Sequence, residues 1–216
     1  MMADLWLRLV AFGFRLLYNE LAWLYDAVSW VVSGGLWRTW QRSTLGFLPP
    51  AGTVLEVGFG PGHLLVEMAQ KGHIPIGLDL SPAMLRLARR RLRQHNLAVP
   101  LCRGRAEALP FAPHSFDALL LTFPPPFVYD PAWIKGAVRI LKPGGRIVIL
   151  EMAVLSNPKP LWRWLEWLYR ITGQREPPVE LCHLLDAAGL SAQRKTVPVQ
   201  NTVIGLVLAD KAAPRG

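Results

Sequence analysis

Short apolar runs alternate with helical patterns from residue 53 onwards, and this alternation limits the fold more than any other feature of the chain. The runs are 53–58, 74–80, 99–104, 116–123 and 145–152, and helical periodicity marks 62–71, 82–95, a short piece near Glu107, 131–141 and 178–188. Continuous apolar strands separated by helices are typical of a parallel sheet covered on both faces. Two further runs, 191–200 and 201–210, follow without a helix between them and should pair antiparallel at one edge. The pattern predicts an α/β protein with a doubly wound, mostly parallel sheet of seven strands.

A helical region precedes this alternating part of the chain. Apolar residues recur at helical spacing through most of residues 1–50, and Ser33-Gly34-Gly35 interrupts them, which predicts an N-terminal cover of two or three helices. Residues 51–216 are then the core domain. Within it, 156–176 places three tryptophans among basic residues and is predicted to be an inserted, Trp-rich amphipathic lid.

The net charge of +9 and the nine tryptophans bear on the cellular location of the protein. Charged residues interrupt the apolar N-terminal region every few positions: Asp4, Arg8, Arg15, Glu20 and Asp26. They leave no stretch of about 18 apolar residues that could span a bilayer, and no signal-peptide pattern is present. Cys102 and Cys182 lie far apart without metal-ligand spacing and are expected to be reduced and buried, as in a cytoplasmic protein. Two interpretations of the Trp- and Arg-rich segments stay open, helix–helix packing or peripheral contact with an anionic membrane.

The stretch LEVGFGPGH, residues 55–63, places three glycines between an apolar run and a helical pattern. Glycines in a strand–loop–helix unit allow a sharp turn and close approach of a nucleotide-like ligand. His63 stands where dinucleotide-binding loops have their third glycine, and no Lys-Ser/Thr pair follows, which argues against both NAD and a triphosphate. Asp79, at the end of the next run, can accept hydrogen bonds from two ribose hydroxyls. The pattern favours a ligand with a free ribose diol and no phosphate chain, a description that S-adenosylmethionine fits.

Four stretches together resemble the class I S-adenosylmethionine-dependent methyltransferases. They are VLEVGFGPG, GLDLSPAML, AEALPFAPHSFDALLLTF and LKPGGRIVILE, in the order and at the spacing of that family, from about Gly52 to Glu151. The N-terminal YNELAWLYD, residues 18–26, is similar to a motif found ahead of the core in quinone-biosynthesis methyltransferases and their small-molecule relatives. The resemblance implies a Rossmann-like methyltransferase fold with the last strand antiparallel, and S-adenosylmethionine as cofactor with S-adenosylhomocysteine as product.

The resemblance also implies roles for individual residues. Glu56 would anchor the loop and the ammonium end of the cofactor, and Asp79 would hold the ribose. The remaining implied contacts are Tyr25, Gly58, Phe59, Gly60 and Gly62 on the methionine side, Leu80, Met84, Arg105, Ala106 and Glu107 around the adenine, and Thr122 with Phe123 near the reacting methyl group. Arg105 departs from the family, which often has an acidic residue before the AE pair to accept from the adenine amino group.

The acceptor side is predicted to be apolar. Methyltransferases that act on amide or base nitrogens commonly carry Asn or Asp before Pro-Pro-aromatic, whereas Pro124 stands there in this chain. The side chains considered as a catalytic base are His63, His114, His183, Asp130 and Glu151, and the sequence assigns that role to none of them.

Three functions remain open at this point. A small lipophilic acceptor, quinone-like or lipid-derived, is favoured by the apolar mouth and the tryptophans. An RNA or protein methyltransferase is the alternative suggested by the net charge, although the arginines at 86, 89, 90, 91 and 93 lack interleaved aromatics and are typical of a solvated helix face. The third is a non-catalytic protein that binds S-adenosylmethionine.

Overall fold

The computed structural model describes residues 21–155 and 180–213, together with Gly13. Seven strands form one sheet in the order β3-β2-β1-β4-β5-β7-β6. The strands are β1 (Thr53–Val57), β2 (Ile74–Asp79), β3 (Leu101–Arg103), β4 (Phe116–Thr122), β5 (Leu141–Leu155), β6 (Leu190–Val199) and β7 (Thr202–Lys211). Strand β7 runs antiparallel to both β5 and β6, and the other neighbouring strands are parallel. The predicted α/β fold, with a mostly parallel sheet and an antiparallel last strand, is confirmed.

The described residues contain six α-helices. They are α1 (Tyr25–Ser33), α2 (Trp37–Ser43), α3 (His63–Gln70), α4 (Pro82–Gln94), α5 (Pro131–Ile140) and α6 (Glu180–Ala187). Local signals set their ends: Ser81 caps α4 by accepting from the Met84 N–H at 3.1 Å, and Gly34 ends α1 in the left-handed conformation. None of the described helices combines the length and the apolar character needed to cross a bilayer.

Helices cover both faces of the sheet. Buried residues of α5 and α6 pack with Leu55 and Val57 on one face. Buried residues of α3 and α4 pack with Val54 on the other face, where Trp40 of α2 also meets β5 and β7. Because β2 and β4 lie on opposite sides of β1, the chain order reverses at β1. Ligands of open α/β sheets bind at the carboxyl ends of the strands next to such a reversal.

Several predicted bounds differ from the structure. Strand β5 begins at Leu141 rather than 145, and its pairing to β4 shifts register between Phe116 and Ala118. Strand β3 is shorter than predicted, and both cysteines are half-buried rather than buried. Of the predicted cover, the described part from residue 21 to 50 holds α1 and α2, and the predicted lid at 156–176 lies outside the described residues. The division at residue 50 therefore stays a prediction.

Candidate cofactor and acceptor site

The loop from Gly58 to Gly62 turns the chain from β1 into α3 at the carboxyl edge of the sheet. A Cβ atom on Gly62, where φ is +79°, would lie 2.8 Å from the Cβ of Ala88 on α4, so this position must be glycine for the two helices to pack. Gly60, with φ +53°, has no atom within 4 Å of the place a Cβ would take. The loop therefore leaves open space beside Gly60 and is closed against α4 at Gly62. The intervening Phe59 turns its ring into the core between the sheet and α3 and α4.

Asp79 at the end of β2 is only 6% exposed and organises the turn around it. Its Oδ2 accepts from the Gly60 N–H at 2.9 Å and its Oδ1 from the Ser81 N–H at 2.8 Å. Burial raises the pKa of this carboxyl, and the backbone hydrogen bonds oppose that rise. Each carboxylate oxygen keeps a further lone pair, so Asp79 can accept two more hydrogen bonds.

Glu56 is a buried carboxyl whose bonding is incomplete. Its side chain is 2% exposed, and Oε2 makes no hydrogen bond with the described residues. Burial, together with the negative charges of Asp79 and Glu67, raises the pKa of Glu56 well above its ordinary value. A buried acidic oxygen without a donor costs free energy unless a ligand supplies one.

Asp26, at the start of α1, fastens the N-terminal cover to the glycine loop. Its Oδ1 accepts from His63 Nε2 at 2.9 Å and its Oδ2 from Arg91 Nη2 at 2.8 Å. Arg91 also donates through Nη1 to the Pro61 carbonyl in the loop. Burial alone would raise the pKa of Asp26, but His63 and Arg91 together lower it. Tyr25, the predicted contact beside it, is buried against Met84 of α4.

The turn after β4 meets the other cover helix. Gln41 of α2 donates to the Thr122 hydroxyl at 3.0 Å. The Phe123 ring stacks on Trp37 with 4.3 Å between ring centroids and 26° between planes, and Trp40 stands edge-on to it. Phe123 itself has φ +49°, a conformation that a bulky residue adopts only where its surroundings enforce it. The turn predicted to lie on the acceptor side is thus flanked by an aromatic wall.

The residues predicted around the adenine differ in accessibility. Leu80 is 58% exposed directly after Asp79, whereas Met84 is fully buried beneath Ala22 and Tyr25. Ala106 is buried, and next to it Arg105 is exposed and forms an ion pair with Glu107 at 3.1 Å. The exposed Leu80 side chain is therefore accessible to a ligand, whereas Met84 is not. The Arg105 guanidinium faces Glu107.

Comparison with known proteins places this arrangement in a family. The Methyltransferase domain profile matches residues 54–145. The demethylmenaquinone methyltransferase of Lactiplantibacillus plantarum is 34% identical over 158 residues, 68% of this chain and 67% of that protein. The chain belongs to the class I S-adenosylmethionine-dependent methyltransferases.

Further relatives agree with this membership. The ubiquinone/menaquinone biosynthesis C-methyltransferase UbiE of Bartonella tribocorum is 34% identical over 164 residues, 70% of this chain and 60% of that protein. The chain thus spans about two thirds or less of the length of these relatives. Phosphoethanolamine N-methyltransferase 2 of Haemonchus contortus, solved with S-adenosyl-L-methionine, shares the fold with a TM-score of 0.63 at 17% identity, over 82% of this chain and 53% of that one.

The described residues of this methyltransferase fit its cofactor. S-adenosylmethionine would supply a methyl group on a cationic sulfur, a ribose diol and an ammonium group. Asp79 has two acceptor positions left for the diol, Glu56 has a buried oxygen that lacks a donor, and Gly60 leaves room for close approach. The individual contacts predicted for these residues stay predictions.

Most of the side chains considered as a catalytic base already form an ion pair, a helix cap or a hydrogen bond within the fold. Glu151 is buried and paired with Arg194 at 3.1 Å; burial raises its pKa, and Arg194 opposes the rise. Asp130 caps α5 by accepting from the Ala132 N–H, and the His63 ring is bound to Asp26. The remaining two are exposed: His183 on α6, and His114 before β4, at the opposite edge of the sheet.

The sequence did not indicate four side chains that connect the cover helices with the site. They are Asp26, Gln41, Trp37 and Arg91. Arg91 lies seven positions after Met84 and so on the same helix face, a spacing that could have indicated a shared neighbour. No local pattern connects Gln41 with Thr122, because that contact depends on how α2 crosses the sheet.

Proposed function

We propose that this methyltransferase transfers a methyl group to a small lipophilic ring compound of the quinol class. The observation that carries the proposal is the aromatic wall after β4, in which Trp37 and Trp40 surround Phe123. Pro124, Pro125 and Pro126 continue the chain without a side chain that could hold an amide or a base nitrogen. An acceptor that binds here gains affinity from apolar area and stacking.

The state of the candidate bases supports the same acceptor class. Glu151 is paired with Arg194, and Asp130 caps a helix, so both carboxyls already have partners within the fold. A quinol activates its own ring carbon through its hydroxyl groups and needs orientation and exclusion of water more than a strong base. The relatives named as demethylmenaquinone and ubiquinone/menaquinone methyltransferases act on compounds of this kind by their names.

The decisive experiment offers three acceptor pools to the purified protein with methyl-labelled S-adenosylmethionine. The pools are a prenylated naphthoquinol with an unsubstituted ring carbon, total RNA, and unmodified protein. We expect label in the quinol, with a mass gain of one methyl group. Asp79→Ala should lose the transfer. Lys135→Gln, on α5 at the sheet face opposite α3 and α4, should retain it. Label in RNA or protein contradicts the proposal, and cofactor binding without transfer to any pool identifies a non-catalytic binder.

A further inference from the structure

Helix α4 exposes a band of arginines that has no acidic partner within the described part of the chain. Arg86, Arg89, Arg90 and Arg93 are exposed, and none forms an ion pair with any residue in 21–155 or 180–213. At 3.6 residues per turn they fall within about 100° of the helix circumference. Arg91, which lies outside this band, is paired with Asp26. Four adjacent positive charges attract an anionic surface.

The outer side of α1 is apolar although it is exposed. Trp23, just before the helix, is 70% exposed, Trp30 is 64% exposed and Val31 is 47% exposed. Ala27 between them is exposed as well, and the polar Ser29 and Ser33 are buried on the inner side. This polarity is the reverse of that expected for a helix facing water.

The two surfaces adjoin each other. Ala22 and Tyr25 pack on Ala83 and Met84 of α4, with Leu87 against the same cluster. On the wheel of α4, Ala83 and Leu87 are the immediate neighbours of Arg86 and Arg90. The segment 22–25, which carries exposed Trp23, therefore lies beside α4, and exposed Leu80 lies at the start of α4.

We propose that this face, formed by Trp23, Trp30 and Val31 with Arg86, Arg89, Arg90 and Arg93, docks on an anionic phospholipid membrane. Indole rings favour the boundary between head groups and acyl chains, and arginines favour lipid phosphates. Exposed aliphatic groups gain by burial in a bilayer but offer nothing to a nucleic-acid backbone. Loop 58–62 and the start of α4 lie at the carboxyl edge of the sheet, so docking would bring the cofactor side close to the lipid. The inference does not depend on the identity of the methyl acceptor.

Vesicle flotation of the full chain tests the proposal. We expect binding to phosphatidylcholine vesicles that contain phosphatidylglycerol, weakened by salt, and much weaker binding to phosphatidylcholine alone. Arg90→Gln should lower the affinity about fivefold, and Arg86→Gln with Arg90→Gln about 30-fold, because each basic residue near a membrane contributes about 1 kcal/mol. Trp23→Ala and Trp30→Ala should each lower it about tenfold by loss of buried apolar area. Lys135→Gln on α5 removes the same charge from the opposite sheet face and should bind as the unmodified chain does.

Other outcomes reject the proposal. Absence of binding to anionic vesicles at low salt overturns it, and so does binding that these variants leave unchanged. If Arg86→Gln with Arg90→Gln loses affinity for single-stranded RNA but not for vesicles, the face binds nucleic acid. If the tryptophan variants abolish a dimer seen by sedimentation and leave vesicle binding intact, the face binds a second copy. S-adenosylmethionine affinity, measured by calorimetry without lipid, should stay unchanged in each variant and shows that the fold and the donor site are intact.

Discussion

The two halves of the site are held by partners at very different distances along the chain. In the donor half, comprising loop 58–62 and the end of β2, Asp79 accepts from Gly60 only 19 residues away. In the acceptor half, the turn from Thr122 to Pro126, Gln41 reaches Thr122 across 81 residues. Trp40, which stands beside Phe123, donates to Thr202 across 162 residues. The bond between Gly60 and Asp79 is thus made within one strand–helix–strand unit, to which Asp26 and Arg91 add contacts from outside, and the acceptor half depends on how the cover docks.

This difference explains what each half can recognise. A unit of about 30 residues carries its own geometry wherever it occurs, so the donor half can be common to a family with many substrates. An aromatic wall built from residues that are far apart in the sequence can differ between proteins whose cover helices differ. The cofactor therefore follows from family membership, while the acceptor has to be argued from Trp37, Trp40 and Phe123.

The largest expected effect lies in the donor half. Asp79→Ala removes the acceptor for two ribose hydroxyls and for the Gly60 and Ser81 N–H groups. Hydrogen bonds to a charged acceptor contribute about 1.5–3 kcal/mol each, so the affinity for S-adenosylmethionine should fall at least about 100-fold by calorimetry. The matched control is Asp117→Asn, at the opposite edge of the sheet, where the carboxylate also accepts from a backbone N–H. Equal affinity losses in both variants would contradict the assignment of the ribose to Asp79.

The two loop glycines should separate folding from binding. In Gly62→Ala the new Cβ collides with Ala88 at 2.8 Å and φ is +79°, so the free energy of unfolding should fall by about 2–4 kcal/mol. Gly60→Ala meets no atom within 4 Å and should lose only about 1 kcal/mol. Denaturant titration measures both losses.

The affinity for S-adenosylmethionine completes that test. Gly60→Ala should bind the cofactor weakly although it is well folded, because its methyl group fills the open space beside the loop. Tight binding by this variant would show that the ligand does not approach Gly60.

The local backbone of the donor half could also be predicted from the sequence, whereas the cofactor contacts assigned to its residues stay predictions. Gly58, Gly60, Gly62 and Asp79 are read from a short motif, and Ser81-Pro82 gives the start of α4 as the structure has it. The sequence could not show that Met84 would be buried under Ala22 and Tyr25, nor that Asp26 would bridge His63 and Arg91. Such contacts depend on the path of the cover, which no spacing within a single element encodes. The positive φ of Phe123 likewise arises from tertiary packing that overrides local preference.

Glu56 supplies a pH dependence that originates in the donor half. Because its pKa is raised in the folded state, the folded protein holds a proton that the unfolded chain releases above its ordinary pKa of 4.5. The free energy of unfolding of the ligand-free protein should therefore fall as pH rises from that value towards the folded-state pKa. In Glu56→Gln this fall should be smaller, because an amide does not titrate.

Denaturant titration over a pH series gives this comparison. Asp79, whose pKa is also raised, contributes a slope of the same sign to both proteins. Glu56→Gln should also weaken S-adenosylmethionine binding about tenfold through loss of a charged acceptor. Identical pH profiles for the two proteins would mean that folding does not raise the pKa of Glu56.

The smallest effect is expected at the contact between the cover and β4, and it should change the binding of the acceptor alone. Gln41→Ala removes the hydrogen bond to the Thr122 hydroxyl, a half-buried pair worth about 1 kcal/mol. Because the described hydrogen bonds of the Gln41 side chain include none to loop 58–62 or Asp79, the affinity for S-adenosylmethionine should stay unchanged while KM for the quinol rises about fivefold. Gln70→Ala, an exposed glutamine at the end of α3, is the control and should change neither value. If Gln41→Ala lowers the affinity for S-adenosylmethionine and for the quinol equally, the cover affects both halves of the site together. The separation into a local donor half and a long-range acceptor half is then wrong.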